Sequence, residues 1–153
     1  MIINRKSWDE TFFAIAQELS ERSTCKRRHY GCIIVRDKTI LSSGFNGAPR
    51  GLPHCIDIGC AREGIPSGTH HELCRATHAE QNAIANAART GMNIYGSTIY
   101  IMDVPCTLCA KILINVGIEE VKSLATNYPD YKQSLELFAL AGIPVIVAGK
   151  RMM

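Results

Sequence analysis

The chain has 153 residues, 46% of them hydrophobic, with 17 basic against 14 acidic side chains and a formal charge of +3. That length suits one domain with a proper core, spanning 1–153, and so mild a charge argues against a dedicated nucleic-acid surface. No apolar run approaches the ~20 residues needed to cross a bilayer. Seven cysteines, an odd number, and no apolar leader after Met1 exclude a secreted disulfide framework and point to a reducing cytoplasm.

Ser7 and Glu10 form a capping-box pattern, and Phe12, Phe13, Ile15, Ala16 and Leu19 follow at helical spacing. They predict a first helix from about Trp8 to Arg22. Gly31 to Val35 and Thr39 to Gly44 are short β-rich runs around the charged turn Arg36-Asp37-Lys38, and read as a hairpin. Phe45 to Gly51 carries Gly and Pro at positions that break any element. From Leu52 to Thr77 no periodicity is evident. A second helix is expected from His78 through Gln81, Ala83, Ile84 and Ala87 to Arg89, stopped by Gly91. Thr98 to Met102 reads as a strand. A third helix follows Pro105 and reaches about Val116. Glu120 to Ala125 and Pro144 to Ala148 read as strands, with a helix from Tyr131 to Ala141 between them. Such alternation implies an α/β sheet with parallel pairs and helices on both faces, a three-layer α/β/α sandwich around a mixed, roughly five-stranded sheet.

Chemistry concentrates in His78-Ala79-Glu80 and Pro105-Cys106-Thr107-Leu108-Cys109. One His and two Cys supply three ligands to zinc and leave the fourth tetrahedral position to water, as a catalytic rather than a structural site requires. Zinc lowers the pKa of bound water from about 15.7 to about 7. Glu80, two residues after His78, can reach that water without being a ligand itself and is placed to carry its proton. Both cysteines fall near a helix start, where unpaired N–H groups and the dipole favour thiolates. Glu80 also discriminates against a zinc-stabilised binding module without catalysis, which has no use for a carboxylate beside an open position.

Cys25, Cys55, Cys60, His71 and Cys74 are five further soft ligands, and Cys55-x4-Cys60 with His71-x2-Cys74 suit a closed tetrahedral zinc. Four of the five would staple an otherwise irregular loop; the alternative is a set of unrelated thiols. Cys32 reads as a small core residue, and His54 and His70 as solvated. The run Arg27-Arg28-His29 is either a solvated loop or, at Arg28, a contact to a phosphate, which Arg pairs bidentately. Tyr128 lies in a loop at a strand end, where open α/β sheets bind ligands, and could wall a base or a phosphate; Tyr131 could equally cover core.

His-Ala-Glu-Gln-Asn-Ala-Ile, Pro-Cys-Thr-Leu-Cys-Ala-Lys and Gly-Phe-Asn-Gly-Ala-Pro-Arg-Gly together resemble the deoxycytidylate (dCMP) deaminases, within the cytidine deaminase-like superfamily whose signature is His-x-Glu followed by Pro-Cys-x-x-Cys. The resemblance implies hydrolytic deamination of dCMP to dUMP and ammonia, feeding dTMP synthesis. By it His78, Cys106 and Cys109 hold the catalytic zinc and Glu80 protonates cytosine N3 and then the departing ammonia. Asn46 holds the deoxyribose, and the Ala79 backbone reads the cytosine edge. It favours Cys25, Cys55, His71 and Cys74 for a second zinc. It further implies a homo-hexamer activated by dCTP with Mg2+ and inhibited by dTTP, felt at Gly44, Asn46, Gly47, Arg50 and Arg89. Another cytosine substrate, dCTP or cytidine, is the competing reading.

Overall fold

The computed structural model describes residues 4–152. Helix α1 (Trp8–Ser20) opens with the expected box: the Glu10 amide donates to Ser7 Oγ at 3.1 Å and the Ser7 amide to Glu10 Oε2 at 2.7 Å. Strands β1 (Gly31–Arg36) and β2 (Thr39–Phe45) form the hairpin. Its two-residue turn, Asp37 and Lys38, has φ of 51° and 59°, the left-handed geometry that matches strand twist. A short helix α2 (Cys55–Ile58) and a 3-10 turn (His71–Leu73) lie in the region expected to be irregular. Then follow α3 (Ala79–Thr90), β3 (Thr98–Asp103), α4 (Thr107–Asn115), β4 (Glu120–Ala125), α5 (Tyr131–Leu140), β5 (Val145–Val147) and β6 (Lys150–Arg151).

The strands make one mixed sheet, in the order β2-β1-β3-β4-β5-β6, parallel only at β3/β4 and β4/β5. It has six strands, not the roughly five expected. Ala148 and Gly149, at φ 48° and 80°, fold the chain back so that Lys150 pairs with Val147. Two charged residues carry no alternation by which such a strand could be read.

Alternation along β1 sets the layers. Ile33 and Val35 face α1 with Phe12 and Tyr100, while Cys32 and Ile34 face α3, α4 and α5 in the larger core. Cys32 is fully buried there. The start of α1 is also tied to the sheet: Asp9 accepts from Tyr100 Oη at 2.6 Å and from Lys122 Nζ at 2.9 Å. Among the described residues no helix is long and apolar enough to cross a membrane.

α3 lies directly on β2 at Gly44, where a Cβ would come 2.3 Å from the Ala79 carbonyl oxygen and 2.5 Å from the Ala83 amide nitrogen. Both are backbone atoms, so relief requires moving the helix. Ser42 Oγ and Asn86 Nδ2 then lace the pair, donating to the Ala83 and Ser43 carbonyls at 2.6 and 2.8 Å. Gly44→Ala is expected to lower stability by about 1–3 kcal/mol, the range for overpacking, read as a shifted urea midpoint; an unshifted midpoint would show that α3 can slide freely on β2.

Candidate active site

β3 runs into Val104-Pro105 and delivers Cys106 as the residue before α4, with Cys109 in that helix's first turn. His78 stands in the same position before α3, its amide donating to Gln81 Oε1 at 2.8 Å. Two helix N-termini, each with unpaired N–H groups, therefore meet. His78 Nδ1 lies 3.4 Å from Cys106 Sγ and 3.4 Å from Cys109 Sγ, and the three donors fall within 4.8 Å of one another. Zinc bonds of about 2.3 Å to sulfur and about 2.0–2.1 Å to nitrogen at tetrahedral angles place such donors about 3.6 Å apart, so the trio fits that ion. The thiols' own behaviour agrees. Cys106 is held down to about 4, first by the hydrogen bond from Cys109 and then by His78, whereas Cys109 is pushed far up by its ionised neighbour and by burial. A cation between them would stabilise both as thiolates.

Glu80, in the first turn of α3, is 5% exposed. Burial lifts its carboxyl to about 7 against the pull of His78. With His78 and Cys106 it lines a cleft whose other walls include Arg28, Tyr30, Asn46, Asp103 and Tyr128. The walls are wired together. The Arg28 guanidinium sits 5.2 Å from the centroid of Tyr128 and donates to Tyr30 Oη at 2.7 Å. Tyr30 Oη donates to Asp103 Oδ2 at 3.3 Å, and Asp103 Oδ1 accepts the Asn127 amide at 2.8 Å. Asn46 accepts the Tyr30 amide and donates to the Arg28 carbonyl, each at 2.8 Å.

Residues 6–125 match the family described as the cytidine and deoxycytidylate deaminase zinc-binding region. The chain belongs to that family. It is 37% identical over 143 residues to ComE operon protein 2 of Bacillus subtilis, covering 94% of this chain and 72% of that protein. It is 35% identical to the deoxycytidylate deaminase of Saccharomyces cerevisiae, covering 92% of this chain but 45% of the yeast protein, and 33% identical to that of Mycobacterium phage D29, covering 78% and 95%. The dCMP deaminase of cyanophage S-TIM5, solved in complex with dCMP and dUMP, superposes with a TM-score of 0.79 at 27% identity, over 95% of this chain and 99% of that one. Its fold is the one seen here.

In this member of the family the remaining residues singled out in the sequence fall into separate places. Ala79 is fully buried as the first residue of α3, with Asn46 and Tyr128 buried nearby. Gly47 is bridged to Thr77, each amide donating to the other's carbonyl at 3.2 and 2.9 Å, and Asn82 Nδ2 donates to the Phe45 carbonyl at 2.7 Å. The Asn46 loop is thus fastened to the residue before His78. Gly44 packs under α3, while Arg50 and Arg89 are exposed and away from the cleft walls. Cys25, Cys55, Cys60 and Cys74 gather on the cleft's far wall, where burial and the other three thiols raise the Cys55 thiol. Among the described residues only the trio of His78, Cys106 and Cys109 closes within 4.8 Å. His71 is elsewhere, edge-on to His78 at 5.5 Å and stacked at 6.5 Å on Tyr128.

Tyr30, Asp103, Arg62 and Asp130 went unread. Asp103 ends a strand three residues before Cys106, a position that could have signalled it. Asp130, whose Oδ2 accepts the Thr107 amide at 3.0 Å and its hydroxyl at 2.8 Å at the start of α4, is too distant in sequence to be read as a cap. Asn46→Ala is expected to cost about 1–3 kcal/mol by stranding the Tyr30 amide and the Arg28 carbonyl, seen as a lowered melting midpoint with zinc content retained; an unchanged midpoint would mean water takes over both bonds.

Proposed function

We propose that this chain deaminates dCMP to dUMP and ammonia with a zinc ion held by His78, Cys106 and Cys109. The observation that carries this is Glu80: a buried carboxyl beside three zinc-type donors, inside a cleft with a guanidinium on its wall. The close likeness to dCMP deaminases supports the choice of substrate. Bound zinc supplies a Lewis acid that makes water acidic near neutral pH. With that ion held by His78, Cys106 and Cys109, Glu80 would accept a proton from the attacking water, pass it to N3 of cytosine, and serve again as proton carrier while the amino group leaves C4 as ammonia. The N-terminal backbone of α3 at Ala79 offers unpaired N–H groups to the base edge, Asn46 keeps a side-chain N–H for the sugar, and Arg28 with Tyr128 offers charge and a flat wall to the phosphate.

A second, structural zinc held by Cys25, Cys55, Cys60 and Cys74 belongs to the same reading. The Cys55 thiol, pushed up by burial and by its three neighbours, would be stabilised as a thiolate by a cation, and the loop they join has only short elements of its own. Activation by dCTP with Mg2+, inhibition by dTTP, a homo-hexamer, supply of dUMP for dTMP and a cytoplasmic location also follow from it. The Gly47–Thr77 bridge supports the regulatory part, because a ligand that shifts the loop shifts the residue before His78.

Ammonia release from dCMP, CMP, deoxycytidine and dCTP, with and without dCTP and Mg2+, tests the substrate: dCMP is expected to be turned over best, and inertness of all four would end the reading. Glu80→Gln is expected to retain zinc and fold while losing about 10²–10⁴-fold in kcat; near-wild-type turnover would remove Glu80 as the proton carrier. Metal analysis is expected to find two zinc ions per chain in the wild type and in His71→Ala but one in Cys60→Ser, and a single zinc in fully active wild type would remove the second site.

A further inference from the structure

Arg62 is 7% exposed, in the middle of the irregular stretch before α3. One terminal nitrogen donates to the Pro66 carbonyl at 3.2 Å; its Nε is buried and has no partner. No carboxylate among the described residues forms an ion pair with it. A guanidinium stays charged at any working pH and offers five donors in a fixed fork. Held in a protein interior without a counter-charge it is destabilising, so such a group implies an anion that arrives from outside.

The position of Arg62 says which anion. It lines the same cleft as His78, Glu80, Arg28 and Tyr128. Arg28 stacks on the Tyr128 ring, and Tyr128 and His78 both feel the Arg62 charge. Two guanidinium groups and Tyr128 thus line one cleft. The neighbouring arginines are otherwise engaged. Arg27 donates to the Arg62 and Ile65 carbonyls at 2.8 and 2.7 Å, and Arg75 to the Gly59 carbonyl at 2.8 Å. Their bonds pin the backbone that presents Arg62. The side chain is thus held by fixed main chain rather than left on a free loop.

We infer that Arg62 is a specificity-determining residue: with Arg28 it clamps the 5′-phosphate of the substrate across Tyr128 and sets the preference for a nucleotide over a nucleoside. A phosphate monoester carries close to two negative charges near neutral pH, which two guanidinium groups balance, and Arg meets phosphate oxygens bidentately. The thiol-rich loop then has a role beyond stapling, since it fixes the residue that reads the phosphate. The inference rests on the proposed dCMP deamination.

The test is the ratio of kcat/KM for dCMP to kcat/KM for deoxycytidine in wild type, Arg62→Gln and Arg62→Lys, with zinc content and circular dichroism recorded for each. Wild type is expected to prefer dCMP. In Arg62→Gln the ratio is expected to fall about 10- to 100-fold, as loss of a charged hydrogen-bonding partner implies, mainly through KM for dCMP. Arg62→Lys is expected to fall between the two, since a point charge replaces part of a fork; it also carries the test if Arg62→Gln does not fold. A variant that retains the wild-type ratio, however low its activity, overturns the assignment and leaves dCMP deamination standing. A wild type with no preference for dCMP overturns both.

Discussion

Everything in this molecule depends on bringing one imidazole and two thiols to a single point without a stretch of chain that runs between them. The fold does so by aiming two helix N-termini at each other. α3 begins just after His78 and α4 just after Cys106, so each ligand stands at the positive end of a helix. That environment favours a first thiolate, and Cys106 is accordingly held low; a second is opposed by the first, and Cys109 is pushed up. The trio's own electrostatics therefore call for a divalent cation. Glu80 shares the same setting, buried enough that its carboxyl is lifted to about 7 against the pull of His78.

Keeping the point in register requires that the helices not move, and the sheet supplies the restraint. Gly44 lets α3 rest backbone to backbone on β2, at a separation no side chain permits. Asp130 fixes the start of α4 from the loop before α5. The cleft walls are then joined by buried polar links rather than by contact alone: Arg28 to Tyr30, Tyr30 to Asp103, Asp103 to the backbone at Asn127, and Asn46 back to residues 28 and 30. A network of this kind is strong when every member is satisfied and costly when one is removed. It explains why a cleft lined from four separate stretches of chain can hold one shape.

Besides Asp130 Oδ1 at the start of α4, the buried side-chain atoms without a partner among the described residues belong to Arg62 and His71. Both come from the segment between β2 and α3, the region with the least regular structure and the most cysteine. The same segment joins the thiol cluster to the cleft, so the stability of the loop and the recognition of the ligand are properties of one piece of chain.

Much was decided by residue order alone. The capping box at Ser7, the 3.6-residue spacing of α1 and the breaks at Gly91 and Gly142 are local signals, and the elements they announce are present. His78, Glu80, Cys106 and Cys109 were legible because metal chemistry restricts residue types and because each pair lies within one turn. The two-residue strand β6 was not legible, being too short and too charged for any period. Nor could spacing sort the remaining cysteines from His71. Cys25, Cys55, Cys60 and Cys74 lie together while His71 turns to His78 and Tyr128, because the left-handed residue His70 redirects the chain just before it. Asp103, Tyr30 and Arg62 carry no motif; their meaning comes from what lies across the cleft. The sequence by itself determined which elements form and which chemistry is available, since both are set by neighbours a few residues apart. Only the tertiary structure decided which distant side chains share a cavity and which buried charge is left without a partner, because those depend on contacts between segments tens of residues apart.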